Sequence, residues 1–245
     1  MTDHPILFSA PMVQALLEGR KTQTRRVLKG VPSWAEDQLG TSCFTPPGHI
    51  EFRGMSPEGY GLKFVKLPYA IGDRLWVREA WNAFGFSQDG DDAWPWPTIP
   101  TLKEIQEIED LGHRVSPPQI VYKESDRARK WFGDQKWRPS IHMPRWASRI
   151  TQIVTDVRAE RLQDITDEDA KAEGVTLDRH TYQAPPAAPW FVPGTDVIGA
   201  SPRAAYAAFW DSLNGKKPGK SWDDNPWVVA TEFDVVEANI GEVGE

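Results

Sequence analysis

Cysteine is almost absent from this chain. Among 245 residues there is one, Cys43, so no intrachain disulfide can form, and the cytoplasm is the expected setting. Long apolar runs are missing too. None approaches the roughly 20 residues that a membrane-crossing helix needs, and the N-terminus carries no apolar block of the signal-peptide kind. The five histidines, at positions 4, 49, 113, 142 and 180, are scattered without the spacing of metal ligands. His49-Ile50-Glu51 resembles the opening of a zinc-deaminase signature, but the Pro-Cys-x-x-Cys that must accompany it is absent, so the match is chance. No metal and no cofactor are expected. Positive charge is not in excess either. A net charge of −7 argues against a general polyanion binder and suits a single nucleoside or an uncharged ligand better than a long nucleic acid. No internal repeat is found.

What is abundant is tryptophan and proline, 12 and 21 residues, which points to long, aromatic-pinned irregular segments around a compact core. Apolar content of 40% is ordinary for a globular protein. The expected organisation is one domain over residues 1–238, with Gly-, Pro- and Trp-rich insertions at about 29–67, 82–118 and 178–200, and a frayed acidic tail over 239–245. The expected form is a monomer.

The chain is organised around Gly19-Arg20-Lys21-Thr22-Gln23-Thr24-Arg25-Arg26-Val27. Residues 11–18 before it read as a short helix, with proline at its first position and Gly19 as its left-handed stop. The basic run therefore leaves a helix end and becomes extended. The ordinary reading of a charge run is a solvated loop. The sharper one makes Lys21 a base and Thr24 a nucleophile or a substrate-holding hydroxyl, because a hydroxyl at neutral pH needs a neighbouring base. Arg25 and Arg26 are cations that would lower a lysine pKa. Positions 21 and 24 have opposite parity, so a regular strand would separate them; the sharper reading requires a turn or bulge.

Beyond this stretch, Ile50-Glu51-Phe52 and Leu62-Lys63-Phe64-Val65 can pair as a hairpin. Gly72-Asp73 is turn chemistry, and residues 75–81 alternate as a strand that places Glu79 on an apolar face. Glu79 is there either a carboxylate paired with an arginine or a site residue, and pairing is the commoner outcome. A helix is expected at 101–111 and a short strand at 120–123. Residues 136–149 are dense in Trp, Arg and Pro; Trp137, Arg145 and Trp146 could line a pocket for a flat base or serve as ordinary core and rim residues. A long strand covers 149–162. Thr166 caps a helix with three acids in its first turn and Gly174 as its stop, which leaves Glu173 in the last turn. Burial there would suit a general acid or base, although a solvated glutamate is the usual case. Ser201-Pro202 opens another helix whose Tyr206, Phe209, Trp210 and Leu213 form a core stripe. Residues 227–237 are a closing strand. This order predicts an α+β fold, a small, partly open, mixed or antiparallel β-barrel with a few flanking helices.

The Gly-x-Lys-x-x-Thr-x-Arg stretch, the Gly72-Asp73 turn with its strand, the segment ending Ala172-Glu173-Gly174-Val175, and the closing strand together resemble the ASCH domain family. The segment Pro139-Ser140-Ile141-His142-Met143-Pro144-Arg145-Trp146 is similar to the longer ASCH forms of bacteria and their phages. The resemblance implies a PUA-like β-barrel. Some compact members are N(4)-acetylcytidine amidohydrolases, which implies that Lys21, Thr24 and Glu173 act as a triad, with Arg26 at the family's next arginine position. Other members have been proposed to bind RNA.

Two functions of different classes follow. In the first, a metal-independent amidohydrolase removes the acyl group from an N(4)-acylated cytosine nucleoside or base; Lys21, Thr24 and Glu173 are catalytic, and Arg25, Arg26, Glu79, Trp137, Arg145 and Trp146 are candidates for holding the substrate. In the second, arginines 25, 26, 145 and 149 around a cleft hold RNA, single-stranded DNA or a modified nucleotide without chemistry. A third and weaker one is a phage accessory protein that docks on a host protein through its tryptophan-rich insertions.

Overall fold

The computed structural model describes residues 1–35, 39–40, 45–86, 93–95, 119–123, 125, 136–177 and 190–244. The helix expected at 101–111 lies outside them. The architecture is α+β, with strand pairs mostly antiparallel.

The central element is a five-stranded sheet. Its strands are β1 (Asp3–Leu7), β6 (Arg74–Arg78), β10 (Thr151–Arg161), β14 (Trp227–Val236) and β2 (Gln23–Val27), in the spatial order β1-β6-β10-β14-β2. Only β1 and β6 run parallel; the other pairs are antiparallel. The expected small, partly open barrel is not detected as a barrel among the described residues. Among the described residues β1 and β2 remain the two edges of an open sheet. The edges are tied by a side chain instead: Arg26 Nη2 on β2 donates to the Leu7 carbonyl at the end of β1, at 2.7 Å.

Among the described residues, three helices pack on this sheet. α1 (Ala10–Leu17) starts at a proline and buries Met12, Val13, Ala15 and Leu16. α2 (Asp167–Ala172) begins with a capping box between Thr166 and Asp169, and α3 (Pro202–Asn214) is capped by Ser201, which accepts from the Ala204 amide. Their apolar faces meet Leu75, Val77, Ile150, Val154, Val228 and Phe233 of the sheet region in one core. Ile165 and Ala170 are both buried in it, as a staple at the start of α2 requires. Leu213 departs from the expected core stripe of α3: it is 54% exposed.

The first insertion carries the hairpin that its apolar pieces predict. β4 (His49–Ser56) and β5 (Gly59–Lys66) pair with Ile50 opposite Val65 and Phe52 opposite Lys63, and β3 (Leu39–Gly40) adds to the β4 side. Phe52 and Val65 form a second core with Leu28 and Trp227. The strand expected over 75–81 is two strands: β6 ends at Arg78, and β7 (Trp81–Phe86) pairs with β8 (Ala93–Pro95) and β9 (Gln119–Tyr122) in a separate sheet. β11 (Thr176–Leu177), β12 (Trp190–Phe191) and β13 (Ile198–Gly199) make a small sheet beside α3.

The C-terminal segment is not frayed over its described residues. Ile240 is buried, the Asn239 amide donates to the carbonyls of Arg145, Trp146 and Ser148, and Arg74 donates to the Val243 carbonyl. Among the described residues no helix is long and apolar enough to cross a membrane.

Candidate active site

The basic stretch is positioned from both ends. α1 stops where Gly19 takes a positive φ of 68°, and the amides of Arg20 and Lys21 both donate to the Ala15 carbonyl. Lys21 then makes an isolated antiparallel bridge with Glu173 at the end of α2. The Thr22 amide donates to the Ala172 carbonyl, and the Thr22 carbonyl accepts from the Phe233 amide of β14. Regular strand β2 begins only at Gln23. The parity that would separate Lys21 from Thr24 therefore does not apply, and both line the same cavity.

That cavity, of about 320 Å³, opens between the two edge strands and under α3. Lys21 is 2% exposed, Thr24 4% and Glu173 6%. Lys21 Nζ donates to Glu173 Oε2 at 2.6 Å and to the Glu173 carbonyl at 3.0 Å. Burial lowers the Lys21 pKa from its ordinary 10.5, with Glu173 partly opposing the shift and Arg26 and Arg25 adding to it. The second carboxylate oxygen, Oε1, faces the Tyr206 hydroxyl at 3.3 Å and Arg25 Nη1 at 3.4 Å. Burial, reinforced by the Glu173 charge, holds the Tyr206 pKa well above 10.0, so the hydroxyl keeps its proton and donates. None of the hydrogen bonds among the described residues uses the Thr24 hydroxyl.

Arg25 lies beneath this group and has no exposed side-chain surface. Burial works against its charge, but Glu173, Glu160 and Asp169 outweigh it and raise its pKa. Its Nη2 is 2.7 Å from Glu160 and 3.2 Å from Asp169, and Nη1 also bonds the Gln23 side chain. Arg25 is thus a support for Glu173 as well as a lining residue. Arg26 is exposed, lines the cavity, and lies over the Phe8 ring at 5.5 Å.

The remaining sequence candidates lie outside the cavity lining. Glu79 is buried in a two-pronged ion pair with Arg149, both contacts at 2.9 Å, which is the arginine pairing that its apolar strand face suggests. Arg145 pairs with Asp3 of β1. Trp146 is 54% exposed. Trp137 is half-buried beside Arg138, whose guanidinium stacks on Trp81. Aromatic walls come instead from Phe8, Tyr206, Phe209 and Trp210. The expected core stripe of α3 holds for Tyr206, Phe209 and Trp210, which are buried in the main core and also line the cavity. Among the described residues no three His, Cys, Asp or Glu side chains gather in a metal-binding arrangement.

The chemistry available is a lysine of lowered pKa against a carboxylate, an uncommitted hydroxyl, and an arginine beside them. That set can activate an oxygen nucleophile and return a proton to a leaving group. Comparison with protein-family models, with curated proteins and with solved structures finds no match to this chain.

Proposed function

We propose that this is an ASCH-type, PUA-like protein and a metal-independent amidohydrolase that removes the acyl group from N(4)-acylated cytosine nucleosides or bases. The observation that carries the reading is the convergence of Lys21, Thr24 and Glu173 on one cavity, with the Lys21–Glu173 contact at 2.6 Å. A cavity of about 320 Å³ lies at the small end of the range for small-molecule sites.

In this reading the neutral Lys21 amine takes the Thr24 proton as Thr24 Oγ1 attacks the acyl carbonyl. Arg26 stabilises the oxyanion. Collapse of the tetrahedral intermediate breaks the bond from the acyl carbon to N4. Glu173, receiving the proton through its contact with Lys21, delivers it to N4, so that the amine departs neutral. Water then hydrolyses the Thr24 ester by the same groups in reverse order, releasing the carboxylic acid. If Thr24 instead orients a water, the proton path is the same and no ester forms.

The test is hydrolysis of N(4)-acetylcytidine, followed by ultraviolet absorbance with chelator present, for wild type, Lys21→Ala, Thr24→Ala and Glu173→Ala. Turnover by the wild type and its loss in all three folded variants is expected. A folded wild type that leaves the substrate intact sinks the proposal.

A second reading, a nucleic-acid-binding module, draws on the exposed Arg26 at the cavity. Salt separates the two. Polyanion binding weakens steeply as salt rises, whereas hydrolysis of an uncharged nucleoside does not.

A further inference from the structure

Helix α3 meets the cavity along a single stripe: Tyr206, Phe209, Trp210, Leu213, Asn214 and, just past the helix end, Lys217. These positions recur every three to four residues and share one helix face. At 1.5 Å per residue, Tyr206 and Asn214 are roughly 12 Å apart along the axis. The stripe changes character along that length. At one end the Tyr206 hydroxyl touches Glu173. The middle is apolar, Phe209 and Trp210, and Phe8 and Met12 of the α1 side also line the cavity. The far end is Asn214 and Lys217.

Charge is uneven in the same direction. Of the cations lining the cavity, Lys21 and Arg25 are ion-paired with Glu173. Arg26 and Lys217 have no carboxylate within ion-pair distance among the described residues. Both are nevertheless held: Arg26 donates to the Leu7 carbonyl at 2.7 Å, and Lys217 Nζ donates to Asn214 Oδ1 at 3.1 Å. Lysine near a helix C-terminus is favoured for the dipole alone, but that explanation does not reach Arg26 on an edge strand. In a chain of net charge −7, two exposed cations on one cavity without a carboxylate partner among the described residues, Arg26 at the Lys21 end and Lys217 at the far end, favour an anionic ligand.

We infer that the ligand is anionic, an N(4)-acylated cytidine 5′-monophosphate rather than the free nucleoside. This rests on the proposed function for the acyl group and base. The amide lies at the Tyr206 end, where Arg26 and Lys21 both stand over the Phe8 ring, the flat base against the aromatic middle, and the phosphate at the Lys217 end.

The test compares N(4)-acetylcytidine 5′-monophosphate with N(4)-acetylcytidine on the full chain at low salt. The nucleotide is expected to be preferred by about tenfold in kcat/KM, the worth of one charge-assisted contact. The preference should shrink toward one in Lys217→Ala and persist in Lys216→Ala, a neighbouring lysine outside the cavity. Equal kcat/KM for the two substrates overturns the inference. Equilibrium binding of cytidine 5′-monophosphate and cytidine gives an arm independent of turnover, with the same tenfold difference and the same dependence on Lys217. If that difference is found but neither acetyl compound is hydrolysed, the amidohydrolase reading falls and the anion site stands. If hydrolysis is found without the difference, the anion site falls. Failure of both ligands to bind also overturns it. An oligocytidylate that displaces the mononucleotide at a lower phosphate concentration than the mononucleotide itself assigns the anion to a polymer and overturns the mononucleotide.

Discussion

Lys21 and Glu173 are joined at two levels: their backbones form an antiparallel bridge, and their side chains an ion pair at 2.6 Å. The backbone contact sets the separation at which the side chains meet, so the pair does not depend on two flexible chains finding each other. Gly174, at a φ of +106°, turns the chain just after Glu173, and a Cβ there would stand 3.4 Å from Ala15 and 3.9 Å from Lys21. Only a residue tolerant of left-handed backbone ends α2 in this way.

Breaking the pair from one side should cost more than removing it whole. Glu173→Leu leaves Lys21 buried with only a carbonyl partner, and a loss of about 3–5 kcal/mol is expected. Lys21→Met should cost less, because Glu173 keeps Arg25 and the Tyr206 hydroxyl. The double variant should recover much of the loss while remaining inactive. Denaturant unfolding of the three proteins measures this, and additive losses would contradict it.

Stability and activity should both report the lowered Lys21 pKa. In the window between that lowered value and 10.5, the folded state binds fewer protons at Lys21 than the unfolded chain does. Stability from this group therefore rises with pH across the window, and below it the penalty for the buried charge is fully present. The unfolding free energy of the wild type relative to Lys21→Met should climb as pH rises toward 10.5. The hydrolysis rate should climb over the same window, since the amine must be neutral to accept a proton. A flat difference across that range would show that Lys21 titrates normally.

Tyr206→Phe removes one donor from the Glu173 carboxylate and nothing from the apolar wall. Stability should fall by about 1 kcal/mol. The rate constant kcat should fall by about tenfold with KM little changed, because the hydroxyl orients Glu173 rather than gripping the ligand. Steady-state kinetics decide it: a change confined to KM would make Tyr206 a ligand contact instead.

The C-terminal segment should behave as part of the core. Ile240 is 1% exposed, and Ile240→Ala is expected to cost about 2–5 kcal/mol. Asn239→Ala removes the side-chain amide shared among the Arg145, Trp146 and Ser148 carbonyls, of which only the Ser148 contact is part-buried, and should cost about 1 kcal/mol. Thermal or denaturant unfolding that leaves both variants at wild-type stability would return the segment to the status of a loose tail.

Local rules made much of the fold readable from the chain alone. Gly19, Thr166, Gly174 and Ser201-Pro202 mark helix ends because capping and left-handed backbone act within a few residues. Alternation marks β10 and β14 because the pleat has a period of two, and two short apolar pieces mark the β4–β5 hairpin. Lys21 and Thr24 stood out as a lysine and a hydroxyl three positions apart, and Glu173 as a carboxylate at a helix end. Their meeting is another matter. It depends on β14 running beside β2, about 200 residues away, and on α2 ending against Lys21, about 150 residues away, contacts that no local pattern encodes. The same holds for the role of α3. Its stripe of Tyr206, Phe209 and Trp210 packs in the core as its period predicts, and only the open gap between β1 and β2 makes the same residues a cavity wall as well. Glu79 and the tail show the reverse side of this dependence. A carboxylate on an apolar strand face and an acidic chain end are ambiguous until Arg149 and the Ser148 carbonyl are placed beside them, because burial and pairing are properties of the assembled chain and not of any stretch of it.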